Sequence, residues 1–249
     1  MELAGKAGVV TGAHKGLGAE IVASVLEQGG KVVAVSRSGR ADGQAPDGVV
    51  DMAGDVRVEQ TLLDAIDACQ ASFGGFDFIV NNAGILGESR LHETSNELWD
   101  DLVGTHLTGT FWGCKHAIRS FRERQVPGAI LNVGSILSFT ADGYLGAYTA
   151  MKTGVLGLTK AIAIDYAADG IRCNCVCPGD METPMIEQYF NGTEDPVGAR
   201  AEMEGAYPGG RMAHPREVAE AATFLLGTRA SFISGTSLVV DGGLIAKTY

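Results

Sequence analysis

Short apolar runs alternate along the chain with longer segments whose apolar residues recur every three or four positions. The runs predict strands at 7–11, 31–35, 48–54, 76–81, 129–134, 171–176 and 237–240. The longer segments predict helices at 17–28, 59–73, 96–123, 146–168 and 217–226. Strands that alternate with helices form parallel sheets with helices on both faces. We therefore expect one α/β domain over residues 1–249, a doubly wound, Rossmann-type parallel sheet.

Two stretches interrupt this alternation. Residues 38–48 are rich in Gly, Asp and Pro, so we expect a loop in place of a crossover helix. Residues 184–215 are polar and irregular, and long loops in compact domains are often functional. Their apolar side chains suit a lid over a substrate or, alternatively, a contact with a neighbouring subunit. These side chains are Met185, Ile186, Tyr189, Phe190, Met203 and Tyr207.

The charge balance argues against some partners. A net charge of −11 disfavours binding along nucleic-acid phosphates or to anionic membranes. No apolar stretch reaches the ~18 residues typical of a membrane span, and the first residues lack a secretory signal, so we expect a cytoplasmic protein. Five cysteines, an odd number, favour reduced thiols. Cys173, Cys175 and Cys177 alternate along a predicted strand, which favours buried thiols over the alternative of a metal site.

A glycine-rich turn lies between the first predicted strand and helix. It reads Thr-Gly-Ala-His-Lys-Gly-Leu-Gly over residues 11–18. Gly12 permits a tight turn, and Gly16 and Gly18 let backbone approach a ligand. The helix that follows offers free N–H groups to a pyrophosphate. We expect nucleotide binding here, with an ordinary strand-to-helix loop as the alternative.

Three residues farther along can form a proton-transfer site. Tyr148 and Lys152 are four apart, so both project from one face of a helix. An ammonium group beside a phenol lowers the pKa of that phenol. The Ser135 hydroxyl can donate to a developing alkoxide. The three residues suit a carbonyl/alcohol pair, although an exposed helical Tyr–Lys pair is the simpler explanation of the spacing alone.

Six motifs, in order and in spacing, resemble those of the short-chain dehydrogenase/reductase family, and the resemblance covers nearly the whole chain. They are Thr-Gly-x3-Gly-x-Gly at 11–18, Asn-Asn-Ala-Gly at 81–84, Ser135, Tyr-x3-Lys at 148–152, Pro-Gly-x3-Thr at 178–183 and Asp-Gly-Gly at 241–243.

The resemblance implies roles for these residues. Tyr148 would be the general acid/base, Lys152 would tune it and hold the nicotinamide ribose, and Ser135 would polarise the substrate oxygen. Leu137, Phe139 and Tyr144 are expected to face the same pocket. The implied coenzyme-binding residues, besides Tyr148 and Lys152, are Gly12, His14, Lys15, Gly16, Leu17, Gly18, Ser36, Arg37, Asp55, Val56, Asn82, Ala83, Gly84, Pro178, Gly179, Met181 and Thr183.

One position departs from the family pattern. The family usually has Asn seven residues after a Trp of the central helix, where it supports a proton relay to the Lys. Counted from Trp99, that position is His106. Histidine also donates and accepts hydrogen bonds, so His106 suits either a relay or plain packing.

The end of the second predicted strand bears on the coenzyme. NAD-preferring Rossmann sites usually have an acid there, and Ser36 stands at that position. Arg37 follows it, and Lys15 lies in the glycine turn. Two cations without an acid suit a 2′-phosphate, so we expect NADP, with NAD as the alternative.

These features together predict an oxidoreductase that interconverts a secondary alcohol and a ketone. The apolar lid favours an alicyclic or aromatic substrate. Two other readings stay open: a nucleotide-binding regulatory protein that has lost turnover, because of His106, and a related dehydratase or epimerase. The resemblance also implies a homodimer or homotetramer.

Overall fold

A computed structural model describes residues 1–40 and 45–247 of the protein. Seven parallel strands form one sheet in the order β3-β2-β1-β4-β5-β6-β7. The strands are β1 (Ala7–Thr11), β2 (Lys31–Ser36), β3 (Val49–Ala53), β4 (Phe78–Asn81), β5 (Gly128–Val133), β6 (Ile171–Pro178) and β7 (Ser237–Val240). The order reverses between β1 and β4, and crevices for ligands lie at the carboxyl ends of strands at such a reversal.

Helices cover both faces of the sheet. They are α1 (Gly16–Glu27), α2 (Glu59–Phe73), α3 (Asn96–Leu102), α4 (Gly109–Arg124), α5 (Gly146–Asp165), α6 (Pro184–Asn191), α7 (Pro196–Ala206) and α8 (Pro215–Leu226). On one face, α1 and α8 pack on the strands through Ile21, Val25 and Val218. On the other face, α2, α4 and α5 pack through side chains such as Ile66 and Phe121. The predicted doubly wound Rossmann-type sheet is confirmed.

The predicted central helix at 96–123 is not continuous. A π-helical turn, Val103–Thr108, separates α3 from α4. Wider turns of this kind are frequent at functional sites because they redirect side chains. This turn carries His106, which is buried.

The prediction of an irregular segment at 184–215 is wrong, because the segment contains α6, α7 and the start of α8. Thr183 accepts a hydrogen bond from the Ile186 N–H, and Asp195 accepts one from the Gly198 N–H. Each cap is followed by a proline in the first turn, where proline is well tolerated. Of the predicted loop at 38–48, residues 38–40 and 45–48 contain no helix. Residues 41–44 lie outside the described residues.

The five cysteines are all free and buried. Three of them, Cys173, Cys175 and Cys177, lie on β6 as predicted, and the Sγ atoms of Cys175 and Cys177 are 3.7 Å apart. Within the part of the chain that the structure describes, no helix has both the length and the hydropathy to cross a bilayer.

Candidate active site

A cleft of about 1130 Å³ lies at the carboxyl ends of the central strands. It brings together the residues that the sequence predicted for catalysis and for coenzyme binding. Its lining includes Gly12, His14, Lys15, Gly16, Leu17, Gly18, Ser36, Arg37, Asp55, Val56, Asn82, Ala83, Gly84, His106, Ser135, Tyr148, Lys152, Pro178, Gly179, Met181 and Thr183.

The glycine turn forms the floor of one end of the cleft. A Cβ atom on Gly18 would lie 2.1 Å from the Gly12 carbonyl oxygen, so only glycine fits there. Asn82 Nδ2 donates to the Thr11 carbonyl at 2.8 Å, which joins this turn to the segment after β4. The N-cap of α1 is Lys15, and its side chain does not cap the first turn. The turn therefore presents backbone N–H groups to the cleft, a surface that suits a phosphate group.

Ser135, Tyr148 and Lys152 line the middle of the cleft. Ser135 follows β5, and its Oγ accepts a hydrogen bond from the Leu137 N–H at 3.1 Å. Tyr148 and Lys152 lie one turn apart on α5, and the Lys152 ammonium is 5.5 Å from the Tyr148 ring centre. Lys152 Nζ also donates to the Val133 carbonyl at 2.8 Å, which holds it at the end of β5.

Burial dominates the protonation of this pair. It raises the pKa of Tyr148 to about 12, while the Ser135 hydroxyl acts in the opposite direction. Burial also lowers the pKa of Lys152 to about 8. The expected lowering of the Tyr148 pKa by Lys152 is therefore not found in the protein alone. The reason is that removing both groups from water disfavours their charged forms.

His106 packs against this pair from the π-helical turn. Its ring meets the Tyr148 ring edge-on, with centroids 5.1 Å apart. Its Nε2 lies 2.8 Å from the Ile85 carbonyl oxygen and 3.2 Å from the Ile85 backbone nitrogen. The shorter contact, to an oxygen that only accepts, favours the proton on Nε2. The close approach needs Gly84, where a Cβ atom would lie 2.8 Å from His106 Cε1. Burial and the nearby Lys152 charge lower the pKa of His106 to about 3, so the ring is neutral.

His106 Nδ1 is left without a partner. Among the described residues, none bonds to this buried atom. On a ring whose proton is on Nε2, Nδ1 is a free acceptor. A buried acceptor without a partner is costly, and in native structures such an atom calls for an explanation.

At the far end of the cleft, Ser36 belongs to a chain of hydrogen bonds. Its Oγ is 2.7 Å from His14 Nδ1, and His14 Nε2 is 2.7 Å from Asp51 Oδ1. Arg40 Nε donates to Asp51 Oδ2 at 2.8 Å. The end of β2 has no acid, as predicted, but Asp51 of β3 lies behind Ser36, and both of its oxygens are bound. Asp51 was missed because it comes from β3, the edge strand beyond β2.

Three other predicted residues at this end differ in their surroundings. The Asp55 carboxylate is held by Arg57, whose Nη2 donates to Asp55 Oδ2 at 2.8 Å. Lys15 and Arg37 form no ion pair within residues 1–40 and 45–247. These two cations are therefore available to an anionic group in the cleft.

A family profile described as Enoyl-(Acyl carrier protein) reductase matches residues 12–245 of the chain. The chain is 39% identical over 251 residues to 3beta-hydroxysteroid dehydrogenase 1 of Eggerthella lenta, covering 98% of this chain and 95% of that protein. It is 38% identical to cis-4-hydroxycyclohexanecarboxylate dehydrogenase of Sinomonas cyclohexanicum, covering 96% of each. The chain belongs to the short-chain dehydrogenase/reductase family.

Solved structures of similar proteins agree with this family membership. Levodione reductase matches with a TM-score of 0.92 at 30% identity, covering 99% of this chain and 100% of that chain. The 3-ketoacyl-(acyl-carrier-protein) reductase from Brucella melitensis, complexed with NADH, matches with a TM-score of 0.88 at 32% identity, covering 97% of this chain and 98% of that chain. The predicted family is confirmed.

The substrate end of this short-chain dehydrogenase/reductase differs from the expectation. Leu137, Phe139 and Tyr144 do not contribute to the described lining of the cleft, and Phe139 and Tyr144 are 48% and 57% exposed. Of the lid side chains, Met185 and Tyr189 face the cleft. The others form a small core of their own with Met212; they are Ile186, Phe190, Met203 and Tyr207.

This small core is joined to the segment after β6. The Tyr207 hydroxyl donates to Asp180 Oδ2 at 2.9 Å and accepts from the Asp180 N–H. A Cβ atom on Gly179 would lie 2.7 Å from that hydroxyl oxygen, so the motif glycine permits the contact. Tyr207 thereby fixes the end of α7 beside the cleft.

Proposed function

We propose that this protein is an NADP-dependent oxidoreductase that interconverts a secondary alcohol and a ketone, with Tyr148 as general acid/base. The observation that carries the proposal is one cleft holding Ser135, Tyr148 and Lys152 beside a glycine turn in which Gly12 and Gly18 leave no room for a Cβ atom. When bound, the nicotinamide coenzyme supplies or accepts the hydride.

Tyr148 is suited to act as the proton donor in ketone reduction. With a pKa of about 12 the phenol is protonated at neutral pH, so it can donate to a carbonyl oxygen. The Ser135 hydroxyl lies next to it and orients that oxygen. Lys152, with a pKa of about 8, changes charge within the working range and supports transfer of the proton back to Tyr148.

We include His106 in this machinery as a relay group. Its Nδ1 is a buried acceptor at the wall of the cleft, and the Lys152 charge is close enough to affect its pKa. A water molecule bonded to Nδ1 would connect Lys152 with the π-helical turn. We expect His106→Leu to lower kcat more than it raises the Michaelis constant, and His106→Asn to restore most of kcat. Equal kinetics for both variants and the native protein would favour plain packing.

The preference for NADP rests on charge. Lys15 and Arg37 are unpaired cations within the described residues, and Asp51 is neutralised where an acid would otherwise favour a ribose hydroxyl. The glycine turn and the segments 81–84 and 178–183 would hold the rest of the coenzyme. NAD is the alternative, and a solved relative holds NADH. Arg37→Ala should raise the Michaelis constant for NADPH at least several-fold more than that for NADH.

We propose an uncharged alicyclic or aromatic substrate. Met185, Tyr189 and Ile85 provide apolar lining beside Tyr148. Glu88 lines this end without an ion pair to a described residue, and burial and the nearby Asp142 raise its pKa. The surface cations of the described lining (Lys15, Arg37, Arg40 and Arg57) belong to the coenzyme end. The burial and the negative charge that disfavour the ionised form of Glu88 would equally disfavour a carboxylate on the substrate.

The test is turnover and binding measured side by side. Purified protein is mixed with NADP(H) or NAD(H) and a panel of ketones and secondary alcohols, and absorbance is followed at 340 nm. Tyr148→Phe should lower kcat by at least about a thousandfold while leaving the coenzyme dissociation constant within about twofold. Tyr144→Phe, on an exposed ring outside the cleft, is the matched control and should behave as the native protein.

Two outcomes would overturn the proposal. Coenzyme binding without turnover on the whole panel would favour a regulatory protein. Product formation without a change at 340 nm would favour a dehydratase or epimerase.

We also propose a homodimer or homotetramer that forms through α4 and α5. Phe111 and Ile164 are exposed apolar side chains on these two helices. Sedimentation of the native protein and of Ile164→Glu would test this, and an unchanged mass for the variant would place the interface elsewhere.

A further inference from the structure

His14 lies between a hydroxyl that faces the cleft and an acid that does not. Its Nδ1 is 2.7 Å from Ser36 Oγ, and its Nε2 is 2.7 Å from Asp51 Oδ1. The His14 and Asp51 side chains are 9% and 19% exposed, so this chain of hydrogen bonds is largely shielded from water. Ser36 ends β2, the position from which Rossmann-type proteins contact the 2′ group of the adenosine ribose.

Asp51 determines which nitrogen of His14 carries a proton. Burial disfavours the Asp51 carboxylate, but its hydrogen bonds to Arg40 and His14 outweigh burial and lower its pKa. An ionised carboxylate only accepts hydrogen bonds, so His14 Nε2 must donate to it. Whatever the charge of the ring, the second proton can therefore only be gained or lost at Nδ1.

The protonation of Nδ1 in turn determines whether the Ser36 hydroxyl can donate a hydrogen bond to a ligand in the cleft. When the ring is neutral, Nδ1 accepts the Ser36 hydroxyl proton, and the Ser36 oxygen offers lone pairs to the cleft. When the ring is charged, Nδ1 donates to Ser36 Oγ, and the Ser36 hydroxyl is free to donate to the cleft. Among the described residues, the other acceptor within reach of this hydroxyl is the Gly39 carbonyl, which is 3.4 Å away and competes weakly.

These two states match two different ligands. A ribose 2′-hydroxyl can donate to Ser36, whereas an ionised phosphate only accepts. The charged ring also adds a positive charge beside Lys15 and Arg37, which line the same end of the cleft. Within residues 1–40 and 45–247, Arg40 and Asp51 are the other charged groups that face His14, and Arg40 donates to Asp51.

We propose that His14 is a specificity-determining residue whose protonation selects between 2′-phosphorylated and 2′-hydroxyl coenzymes through Ser36. This inference rests on the proposed function, because it presumes a nicotinamide coenzyme in the cleft. A fall in pH favours the protonated Nδ1 and therefore the phosphorylated coenzyme, and a rise in pH favours the unphosphorylated one.

The test uses binding, with adenosine 2′,5′-bisphosphate and 5′-AMP as probes that cannot react. Their dissociation constants are measured by calorimetry at pH 5.5, 7.0 and 8.5 for the native protein and for His14→Gln. The preference is the dissociation constant of 5′-AMP divided by that of the bisphosphate. The preference of the native protein, divided by that of His14→Gln, should be about tenfold greater at pH 5.5 than at pH 8.5. This is the effect expected of one charge-assisted hydrogen bond. Dividing the native preference by that of His14→Gln removes the contribution of the probe's own phosphate titration, because both proteins meet the same probe.

Two further variants isolate the cause. Ser36→Ala should remove most of the pH dependence, because the ring then has no hydroxyl to orient. His92→Gln removes an exposed histidine and should leave all binding unchanged. Thermal unfolding of each variant establishes that it is folded.

The outcomes separate this inference from the proposed function. A preference ratio that changes with pH equally in the native protein and in His14→Gln would overturn the role of His14. A full pH effect in Ser36→Ala would overturn the role of Ser36. If neither probe nor either coenzyme binds at any pH, the proposed function itself fails.

Discussion

Replacing Tyr207 by Phe would remove the hydroxyl that joins the end of α7 to the segment after β6. That hydroxyl donates to the Asp180 carboxylate and accepts from the Asp180 N–H. Tyr207 is 4% exposed, and burial raises the pKa of Asp180 while the Tyr207 hydrogen bond opposes that rise. Water cannot readily replace the lost bonds, so their loss should be measurable as stability.

The expected cost follows from the two bonds. A hydrogen bond to a charged group contributes about 2 kcal/mol and a neutral one about 1 kcal/mol, so Tyr207→Phe should lower the free energy of unfolding by about 3 kcal/mol. Asp180→Ala removes the carboxylate and keeps the N–H. In that background Tyr207→Phe should cost only about 1 kcal/mol, which gives a coupling of about 2 kcal/mol.

Urea-induced unfolding at pH 8 would measure the four free energies. Native protein, both single variants and the double variant are compared at one protein concentration, because assembly would otherwise contribute. Tyr144→Phe, on a ring that is 57% exposed, serves as the control and should change stability by less than about 0.5 kcal/mol. A coupling below about 0.5 kcal/mol would refute the reasoning, since Tyr207 would then act only through packing.

Three further substitutions test other parts of the site. Lys152→Met should abolish turnover. It should also raise the free energy of unfolding at pH 7, measured in urea, by about 2 kcal/mol. The reason is that the pKa of Lys152 is lowered to about 8, so its charged form destabilises the folded state below about pH 8. That gain should shrink as pH rises from 8 toward 10.5, and a gain independent of pH would contradict the assignment. Gly18→Ala should lower the melting temperature and weaken coenzyme binding at least about a hundredfold in a fluorescence titration, because the new Cβ atom would lie 2.1 Å from the Gly12 oxygen. Glu88→Gln should lower the Michaelis constant of a carboxylate-bearing ketone about threefold and leave that of its neutral amide unchanged, and equal effects on both would argue against charge exclusion.

Much of the fold and of the cleft could be predicted because the relevant constraints are local. Buried parallel strands need apolar runs, and the sheet in turn places every strand's carboxyl end at one edge. The glycine turn is equally constrained, since no side chain fits at Gly18. Tyr148 and Lys152 share a helix face, so their proximity follows from spacing.

What could not be predicted depends on contacts between distant parts of the chain. His14 and Asp51 are 37 positions apart, and only the pairing of β2 with β3 brings them together. The pKa of Tyr148 reflects burial, which a sequence motif does not report.

Two errors concern local structure. The π-helical turn at Val103–Thr108 adds too little to the helical repeat to be seen in the hydrophobic pattern. In the segment after β6, Thr183-Pro184 and Asp195-Pro196 are helix-start signals, whereas the surrounding Gly and Pro residues are typical of loops.

The buried thiols allow local opening of the protein interior to be measured with a reagent in solution. Since Cys69, Cys114, Cys173, Cys175 and Cys177 are all shielded, a thiol reagent in solution can react only when the structure opens. The labelling rate then counts opening events, and the identity of the labelled cysteine tells which layer opened. Cys69 on α2 reports on one outer layer, whereas Cys177 on β6 reports on the strand whose end forms the cleft, so a ligand that closes the cleft should slow the two reactions to different extents.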